Sequence, residues 1–389
     1  MKRSVAIAVS VTLLGSCAAN AKDTGPISSS VAGNSAQTAS PVALGADTTM
    51  TATTPPATTP PATNTPITTS PTTPATTPIT TPITTPITTP AAEAVPAQPL
   101  TITQLLALGR PIVLAHAGGE DEHPHSTPYG YAESVKAGVD MLDFDVQLTA
   151  DGVLVVQHDD NVARTTNGTA KVADMTYSEL AKLDNAYWFS AECTCKDKPA
   201  AAYILRGMRT GGVAPLTGYT PDDFIIPRFS DIVQRFPNMP LNIEIKGSGD
   251  PAIAAARELA KELTILGRLA NAVVTSFDDG VVTAFHELAP TVEVTPGLSL
   301  STAWILNGTP LPAGMRILQL PPEYQGIRVL TPKTIADSHA AGYVIWVWPN
   351  ERTWENPDGY RWLLQEGLDG LNINFPGQGV AAVKAFTGG

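Results

Sequence analysis

The sequence predicts an α/β chain whose larger part closes as a (β/α)8 TIM barrel with a small insertion, preceded by a disordered Thr/Pro-rich stalk. Three observations carry this. From Leu100 onward, strand-like apolar runs alternate with helix-like runs. They make close to eight units over about 280 residues, near the usual size of such a barrel. Polar residues then collect where the apolar runs end, the place where barrel chemistry gathers. Finally, no GxGxxG or GxxxxGK follows a run, which weakens the doubly wound sheet that alternation alone would also fit.

In chain order, residues 111–116 read as a strand ending on His116, broken by Gly118-Gly119. A helix follows at 131–137 and ends at Gly138. Strands at 141–149 and 153–158 flank an Asp151-Gly152 turn, and 176–183 reads as helix. Residues 185–224 are irregular and hold Cys193 and Cys195, so they read as an inserted loop or subdomain. Alternation resumes with a helix at 229–235, a strand at 240–246 and an Ala-, Glu- and Leu-rich helix at 251–266. Strands at 272–277, 292–298, 317–320, 343–348 and 368–375 are interleaved with helices at 281–288, 334–341 and 359–366.

The 389 residues divide into 1–17, 18–100 and 101–389. Lys2 and Arg3 precede the apolar run 5–14, which is too short to span a bilayer and reads as an export signal. It ends Leu14-Gly15-Ser16-Cys17, resembling a bacterial lipobox, so the expectation is a lipid anchor on Cys17; the alternative is ordinary cleavage after Ala21. Residues 18–100 are Ala, Ser, Thr and Pro with recurring TTP and ITTP units. Such a segment buries no core and is held extended by proline, so it reads as a stalk. The expected location is the bacterial cell envelope or beyond it. Cys193 and Cys195 are one residue apart, compatible with a disulfide in an oxidising compartment or with a dithiol.

The first 100 residues carry balanced charge, so the net charge of −12 lies in 101–389. An acidic domain argues against nucleic acid as partner. It does not exclude a phosphate substrate, because a bound divalent cation reverses the local field. Asp143 and Asp145 share one strand face because side chains alternate. Two like charges so close need a cation or a partner. The following strand ends on His158. Two acids with a strand-end histidine fit a metal-assisted hydrolase. Glu244 and Lys246 lie inside the apolar LNIEIK strand, where charge is costly unless paired or liganded. Without a cation, Asp143 and Asp145 would be expected to pair with Arg164 or Lys246. Arg164 itself reads as a loop brace.

At this point the residues resemble the glycerophosphodiester phosphodiesterase family. The resemblance rests on AHAGG at 115–119, GVDMLDFDVQLTADGVLVVQHDDNVARTTNG at 138–168, IPRFSDIV at 226–233, LNIEIK at 241–246 and GLDGLNINFP at 367–376. It covers nearly all of residues 111–378, and the 138–168 block is the specific part. It implies a TIM barrel with an inserted subdomain and hydrolysis of glycerophosphodiesters to glycerol 3-phosphate and an alcohol. It further implies one divalent cation, Ca²⁺ or Mg²⁺, on Asp143, Asp145 and Glu244. His116 and His158 would transfer protons, Lys246 would face the phosphate, and Trp348 (or Trp346) would line a glycerol pocket.

The sequence departs from the family pattern at the site. Ala117 stands where the family has Arg. His125 stands where the PENT block has Glu, and Asp143 replaces a Glu. Ile373-Asn374 replaces a terminal Thr-Asp. As a ligand, His125 would shift preference towards Mn²⁺ or Zn²⁺; otherwise it contacts substrate or solvent, and Glu120, Asp121 or Glu122 supplies the missing carboxylate. Two other readings stand beside the first: a phosphodiesterase acting on phospholipid or an envelope polymer, and a non-catalytic ligand-binding lipoprotein.

Overall fold

A computed structural model describes residues 98–191 and 193–388. The export signal, Cys17 and nearly all of the stalk lie outside the described residues. The chain enters through helix α1 (Ile102–Leu106), started by a reciprocal capping box between Thr101 and Gln104. Strands β1 (Ile112–Ala115), β2 (Met141–Leu148) and β3 (Leu154–Val156) follow, with helix α2 (Pro128–Ala137) between the first two. Thr127 caps α2, Pro128 opens it and Gly138 closes it in the left-handed conformation. A short helix α3 (Tyr177–Leu180) leads into the insertion, which carries the ribbon β4 (Phe189–Ser190) and β5 (Cys193–Thr194). Regular alternation then runs α4 (Phe229–Arg235), β6 (Leu241–Ile245), α5 (Gly249–Ile265), β7 (Ala272–Thr275), α6 (Asp279–Leu288) and β8 (Glu293–Val294). The last part is α7 (Leu298–Asn307), β9 (Ile317–Leu320), the ribbon β10 (Glu323–Tyr324) and β11 (Ile327–Arg328), α8 (Pro332–Ala340), β12 (Val344–Val347), α9 (Pro357–Gln365), β13 (Gly370–Ile373) and α10 (Pro376–Thr387).

Eight parallel strands pair in the order β8-β7-β6-β2-β1-β13-β12-β9. Among the described residues no ladder joins β8 to β9, so the barrel is nearly closed, with its seam at the two-residue strand β8. Two expectations are corrected here. The 153–158 run is not a barrel strand in its own right: β3 folds back antiparallel on β2, because the Asp151-Gly152 turn is too short for a parallel crossover. The 292–298 run gives only Glu293–Val294 as strand, and Leu298 opens α7, which the sequence reading did not anticipate. Gly297 precedes it, and the Asp279 carboxylate accepts from the backbone N–H groups of Gly297, Ser299 and Leu300, nucleating that helix from outside.

The interior is layered along the strands. Side chains two residues apart on a strand share a face, so inward positions climb the barrel in steps of about 6.6 Å. The floor is apolar: Ile112, Leu114, Met141, Val273, Ile317 and Trp346 pack together on top of Ile102 and Leu105 of α1. One step higher the inward residues turn polar. Asn242 Nδ2 donates to Gln319 Oε1 at 3.0 Å and Gln319 Nε2 donates back to Asn242 Oδ1 at 2.8 Å. The outer core lies between the strands and helices. In α5 the buried Ala252, Ala255, Ala256, Leu259 and Leu263 follow the helical repeat that meets the sheet.

The insertion has its own small core of Ala186, Phe189, Leu205, Met208 and Phe224. Cys193 and Cys195 are joined as a disulfide. Arg206 stacks on Tyr187, Trp188 and Tyr203, with centroid distances of 4.3, 4.6 and 4.0 Å. Asn185 Nδ2 donates to the His125 carbonyl at 3.0 Å, tying this subdomain to the loop after β1.

The floor sets a stability prediction. A Cβ on Gly370 would meet Trp346 Cδ1 at 2.5 Å and Cγ at 3.0 Å. Trp346 is 1% exposed and packed into the floor. Gly370→Ala is expected to destabilise the barrel by about 1–3 kcal/mol through overpacking. Denaturant unfolding checks this, with a lower midpoint and an unchanged slope as the expected outcome.

Candidate active site

The carboxyl ends of β1, β2, β6, β12 and β13 bring most of the expected site residues to one mouth. On β2, Asp143 and Asp145 lie opposite Asn242 and Glu244 of β6 in register. Both aspartates are buried, at 5% and 2% exposure. Their surroundings differ. Asp143 Oδ1 accepts from Asn242 Nδ2 at 2.5 Å, and Oδ2 lies 3.4 Å from the Ala117 backbone N–H. Asp145 Oδ1 lies 3.4 Å from Lys246 Nζ, and its buried Oδ2 has no hydrogen-bond partner. Lys246 Nζ also contacts Glu244 Oε1 at 2.8 Å. Of the two cationic partners considered for the aspartates, Lys246 takes Asp145, and Asp143 is held by a neutral amide instead.

These environments split the pair. Burial pushes the Asp143 carboxyl up to about 6, a rise opposed by His116 and reinforced by Asp145. Burial acts on Asp145 too, but Lys246 and the neighbouring histidines outweigh it and hold that carboxyl well below the usual range. Burial disfavours the Lys246 ammonium, yet Glu244 and Asp145 raise its pKa above the ordinary lysine value.

His116 closes β1 and begins a one-turn 3-10 segment, His116–Gly118. Ala117 sits at φ 46°, a left-handed conformation costly for a non-glycine residue. The strained turn aims its N–H at Asp143. Gly119, at φ +85°, packs where a Cβ would stand 2.7 Å from Pro376 Cγ, so the loop can cross α10 only without a side chain there. His116 Nδ1 bonds Asn374 Oδ1 at 2.6 Å, and Glu120 Oε1 is 3.8 Å away. Burial lowers the histidine pKa, but Glu120, Asp143 and Asp145 together overrule it and lift His116 to about 9.

His158 follows β3, and its Nδ1 bonds Asp159 Oδ1 at 2.7 Å. Asp159 is fixed by Arg164, whose Nε donates to Oδ2 at 2.8 Å. Arg164 also reaches Glu120 at 3.4 Å. It therefore braces the loop, as its position suggested, and joins the two histidine loops. Burial would raise the Glu120 pKa, but the Arg164 and His116 cations beside it hold it at about 2.

His125 is only 1% exposed, which removes the solvent-facing alternative. Its Nε2 lies 3.4 Å from Glu120 Oε2, and its ring centroid is 6.0 Å from that of His158. Neither ring nitrogen has a hydrogen-bond partner. Burial and the neighbouring Arg164 cation hold His125 down at about 3, so the Glu120 contact is imidazole to carboxylate rather than an ion pair. Of the three acids offered for the missing carboxylate, Glu120 alone sits among the histidines. Asp121 turns to Asn374 and Arg352, and Glu122 accepts from the Gly377 N–H at the start of α10.

Of the two tryptophans left open, Trp346 belongs to the floor. Trp348 stands at the mouth, edge-to-face with the half-exposed Phe277 at 5.8 Å. Sequence reasoning did not single out Asn242, Gln319 or Glu355. Asn242 had a usable signal: it is two residues before Glu244, on the same face. Glu355 had none, since its carboxylate reaches Asn374 N only through the fold, at 3.2 and 3.3 Å.

The fit of a divalent cation turns on the acids. Asp143, Asp145 and Glu244 offer oxygen donors on one face, and Asp145 Oδ2 is a buried carboxylate oxygen left without a partner, which suits a hard cation. Lys246 stands between Asp145 and Glu244, and among the described residues no three His, Cys, Asp or Glu side chains converge on one point. His125 is grouped with Glu120 and His158.

A titration follows from these environments. In ¹⁵N-histidine NMR, His125 should stay neutral as pH falls to about 3, and His116 should stay protonated as pH rises to about 9. An ordinary midpoint near 6.5 for both,, would overturn the electrostatic description.

The glycerophosphoryl diester phosphodiesterase family model matches residues 116–378. Human lysophospholipase D GDPD1 is 30% identical over 152 residues, covering 38% of this chain and 40% of the relative. The putative glycerophosphodiester phosphodiesterase YhdW of Bacillus subtilis is 32% identical over 181 residues, covering 46% and 63%. The chain thus spans less than two thirds of the length of these two relatives. An Oleispira antarctica phosphodiesterase solved with its product sn-glycerol-3-phosphate shares the fold at TM-score 0.51 and 18% identity, over 72% of this chain and 99% of that one. With the family model covering most of the chain and the barrel in place, this chain belongs to the glycerophosphoryl diester phosphodiesterase family.

Proposed function

We propose that the barrel hydrolyses glycerophosphodiesters to glycerol 3-phosphate and an alcohol, with His116 and His158 as the proton-transfer pair. The observation that supports this most is a pair of histidines, each with a fixed Nδ1 partner, within electrostatic reach of a buried acid pair. Asp143, Asp145 and Glu244 would hold a divalent cation, Ca²⁺ or Mg²⁺ by their oxygen chemistry, with Lys246 turned from Asp145 and Glu244 towards the phosphate. When bound, such an ion withdraws charge from the phosphoryl oxygens of the substrate. Lys246 offers a second positive charge to the same group. One histidine removes the proton from the attacking water or hydroxyl, and the other returns one to the departing alkoxide as the P–O bond breaks. The water oxygen ends bonded to phosphorus, and the two histidines end with exchanged protonation states, which a proton passed through solvent resets. Trp348 lines the glycerol end of the pocket. His125 binds through an unpartnered ring nitrogen, to substrate or to the cation; as a ligand it would favour Mn²⁺ or Zn²⁺.

We place the enzyme outside the cytoplasm, held to a membrane through lipidated Cys17 and raised on the 18–100 stalk. The Cys193–Cys195 disulfide supports an oxidising compartment. No helix among the described residues is long and apolar enough to cross a membrane, so the proposed anchor rests on the Cys17 motif. The half-exposed Phe277 at the mouth also favours a variant of this reading, in which the alcohol is large and partly apolar, as in a lysophospholipid or an envelope polymer.

The test incubates the protein with glycerophosphocholine and glycerophosphoethanolamine after EDTA, then with Ca²⁺, Mg²⁺, Mn²⁺ or Zn²⁺ restored in turn, and measures glycerol 3-phosphate. Release that needs a cation is the expected result. His158→Ala should lower the rate by about 10²–10⁴, the usual worth of a proton-transfer group. Full activity in EDTA would remove the cation from the scheme, and full activity in His158→Ala would remove that histidine.

A further inference from the structure

The two histidines have unlike supports. His158 leans on a carboxylate, Asp159, whereas His116 leans on an amide, Asn374. An amide has a donor end and an acceptor end, so which end faces the imidazole decides which ring nitrogen carries the proton. Here the orientation is determined by what lies behind the amide. Asn374 Nδ2 donates to Asp121 Oδ2 at 2.9 Å. Asp121 is 4% exposed and its other oxygen is held by Arg352. A carboxylate has no hydrogen to offer, so the amide nitrogen must face Asp121 and the amide oxygen must face His116. His116 Nδ1 must then keep its hydrogen whether the ring is charged or neutral, and Nε2 is the nitrogen left for proton exchange.

The backbone of Asn374 is fixed as well. Its N–H faces the Glu355 carboxylate, which also accepts from the Tyr360 hydroxyl. Its carbonyl accepts from the Asp121 and Glu122 N–H groups, each at 3.3 Å. The side chain thus has little freedom to turn.

We infer that Asn374 is a positioning residue: polarised by Asp121, it fixes the Nδ1–H form and the ring plane of His116, so that Nε2 serves the reaction. This rests on the proposed role of His116 in hydrolysis. It also gives a reason for Asn at this position. With Asp121 already behind it, an aspartate at 374 would set two carboxylates in contact.

The test uses the full chain, ¹⁵N-labelled at its six histidines, with Asn374→Leu, Asp121→Asn and the exchanged pair Asn374→Asp with Asp121→Asn. At a pH above the His116 midpoint of about 9, where the ring is neutral, wild-type protein should show a slowly exchanging, downfield Nδ1 proton on His116, lost in Asn374→Leu. With glycerophosphocholine, Asn374→Leu should lose about 10²-fold in kcat, the scale of a misplaced catalytic group, while KM stays within about threefold. Asp121→Asn alone frees the amide to flip and should lose less. The exchanged pair restores one carboxylate and one amide in reversed order, keeps the shape and hydrogen-bond count, and should recover at least about tenfold over Asn374→Leu. A wild-type His116 without an Nδ1 proton overturns the inference whatever the turnover. So does an Asn374→Leu variant with unchanged kcat, or an exchanged pair no better than Asn374→Leu. An Nδ1 proton seen in wild type and lost in Asn374→Leu, in protein that turns over no glycerophosphodiester, supports the positioning and removes the substrate reading alone.

Discussion

A strand in a closed barrel must send every second side chain inward, and the interior has room for only a few layers. Most of the site follows from that constraint. On β1 the inward series runs from Ile112 and Leu114 to His116. On β2 it runs from Met141 to Asp143 and Asp145, and on β6 from Asn242 to Glu244 and Lys246. Apolar side chains fill the floor, where no water reaches, and charge appears only towards the mouth. Between them lies the Asn242–Gln319 amide pair, which crosses the barrel between strands that are not neighbours. Asp143 rests on this pair. An amide donor satisfies one of its oxygens without neutralising it, which is how a carboxylate can stand one step above a hydrocarbon floor.

The same geometry makes the two aspartates chemically different, though they lie two residues apart on one strand. Asp143 has neutral donors and is left for burial to push up. Asp145 has Lys246 and stays charged. The mouth is a set of alternating charges: Asp145, Lys246 and Glu244 on one side, Glu120, Arg164 and Asp159 on the other, with His116, His125 and His158 around them. Each acid except Asp143 has a cation in contact. The arrangement can therefore receive an anionic phosphodiester without every group repelling it, and Asp145 Oδ2 remains as the unused acceptor.

What the sequence made legible is what strand alternation governs locally. Asp143 with Asp145, Glu244 with Lys246, and His116 at the end of β1 could be placed from their neighbours alone. The choice between Trp346 and Trp348 could not, because both lie on the inward face. Only the height of the floor, set by α1 packing under Leu114 and Met141, separates them. Glu120, His125 and Arg164 come together from segments forty residues apart, through a loop whose path depends on the left-handed Ala117 and Ser126. No periodicity announces such a turn in alanine and serine. The 292–298 run failed for a different reason: β8 sits at the barrel seam, and the Asp279 carboxylate starts a helix where apolar content alone suggested more strand.

The departures from the family pattern lie close together in space, and they have a common physical consequence. Ala117, His125 and Asn374 all belong to the ring of loops around His116, and each is uncharged where the pattern has a charge. Removing an arginine at 117 takes a cation from this ring, and carrying a neutral His125 in place of a glutamate takes away an anion. Carrying Asn374 in place of an aspartate takes away another. Glu120, reached by Arg164 and both His116 and His125, supplies one acid from within the same loop, and Asp121 supplies a second behind Asn374. Two acids, Glu120 and Asp121, lie in the loop that follows His116, and Asn374, which faces its ring, is a hydrogen-bonding group of fixed direction. Charge reaches a buried histidine from several ångströms away, whereas the placing of its proton depends on contact. The exchange therefore leaves the electrostatic field around His116 negative while giving control of its tautomer to a single amide.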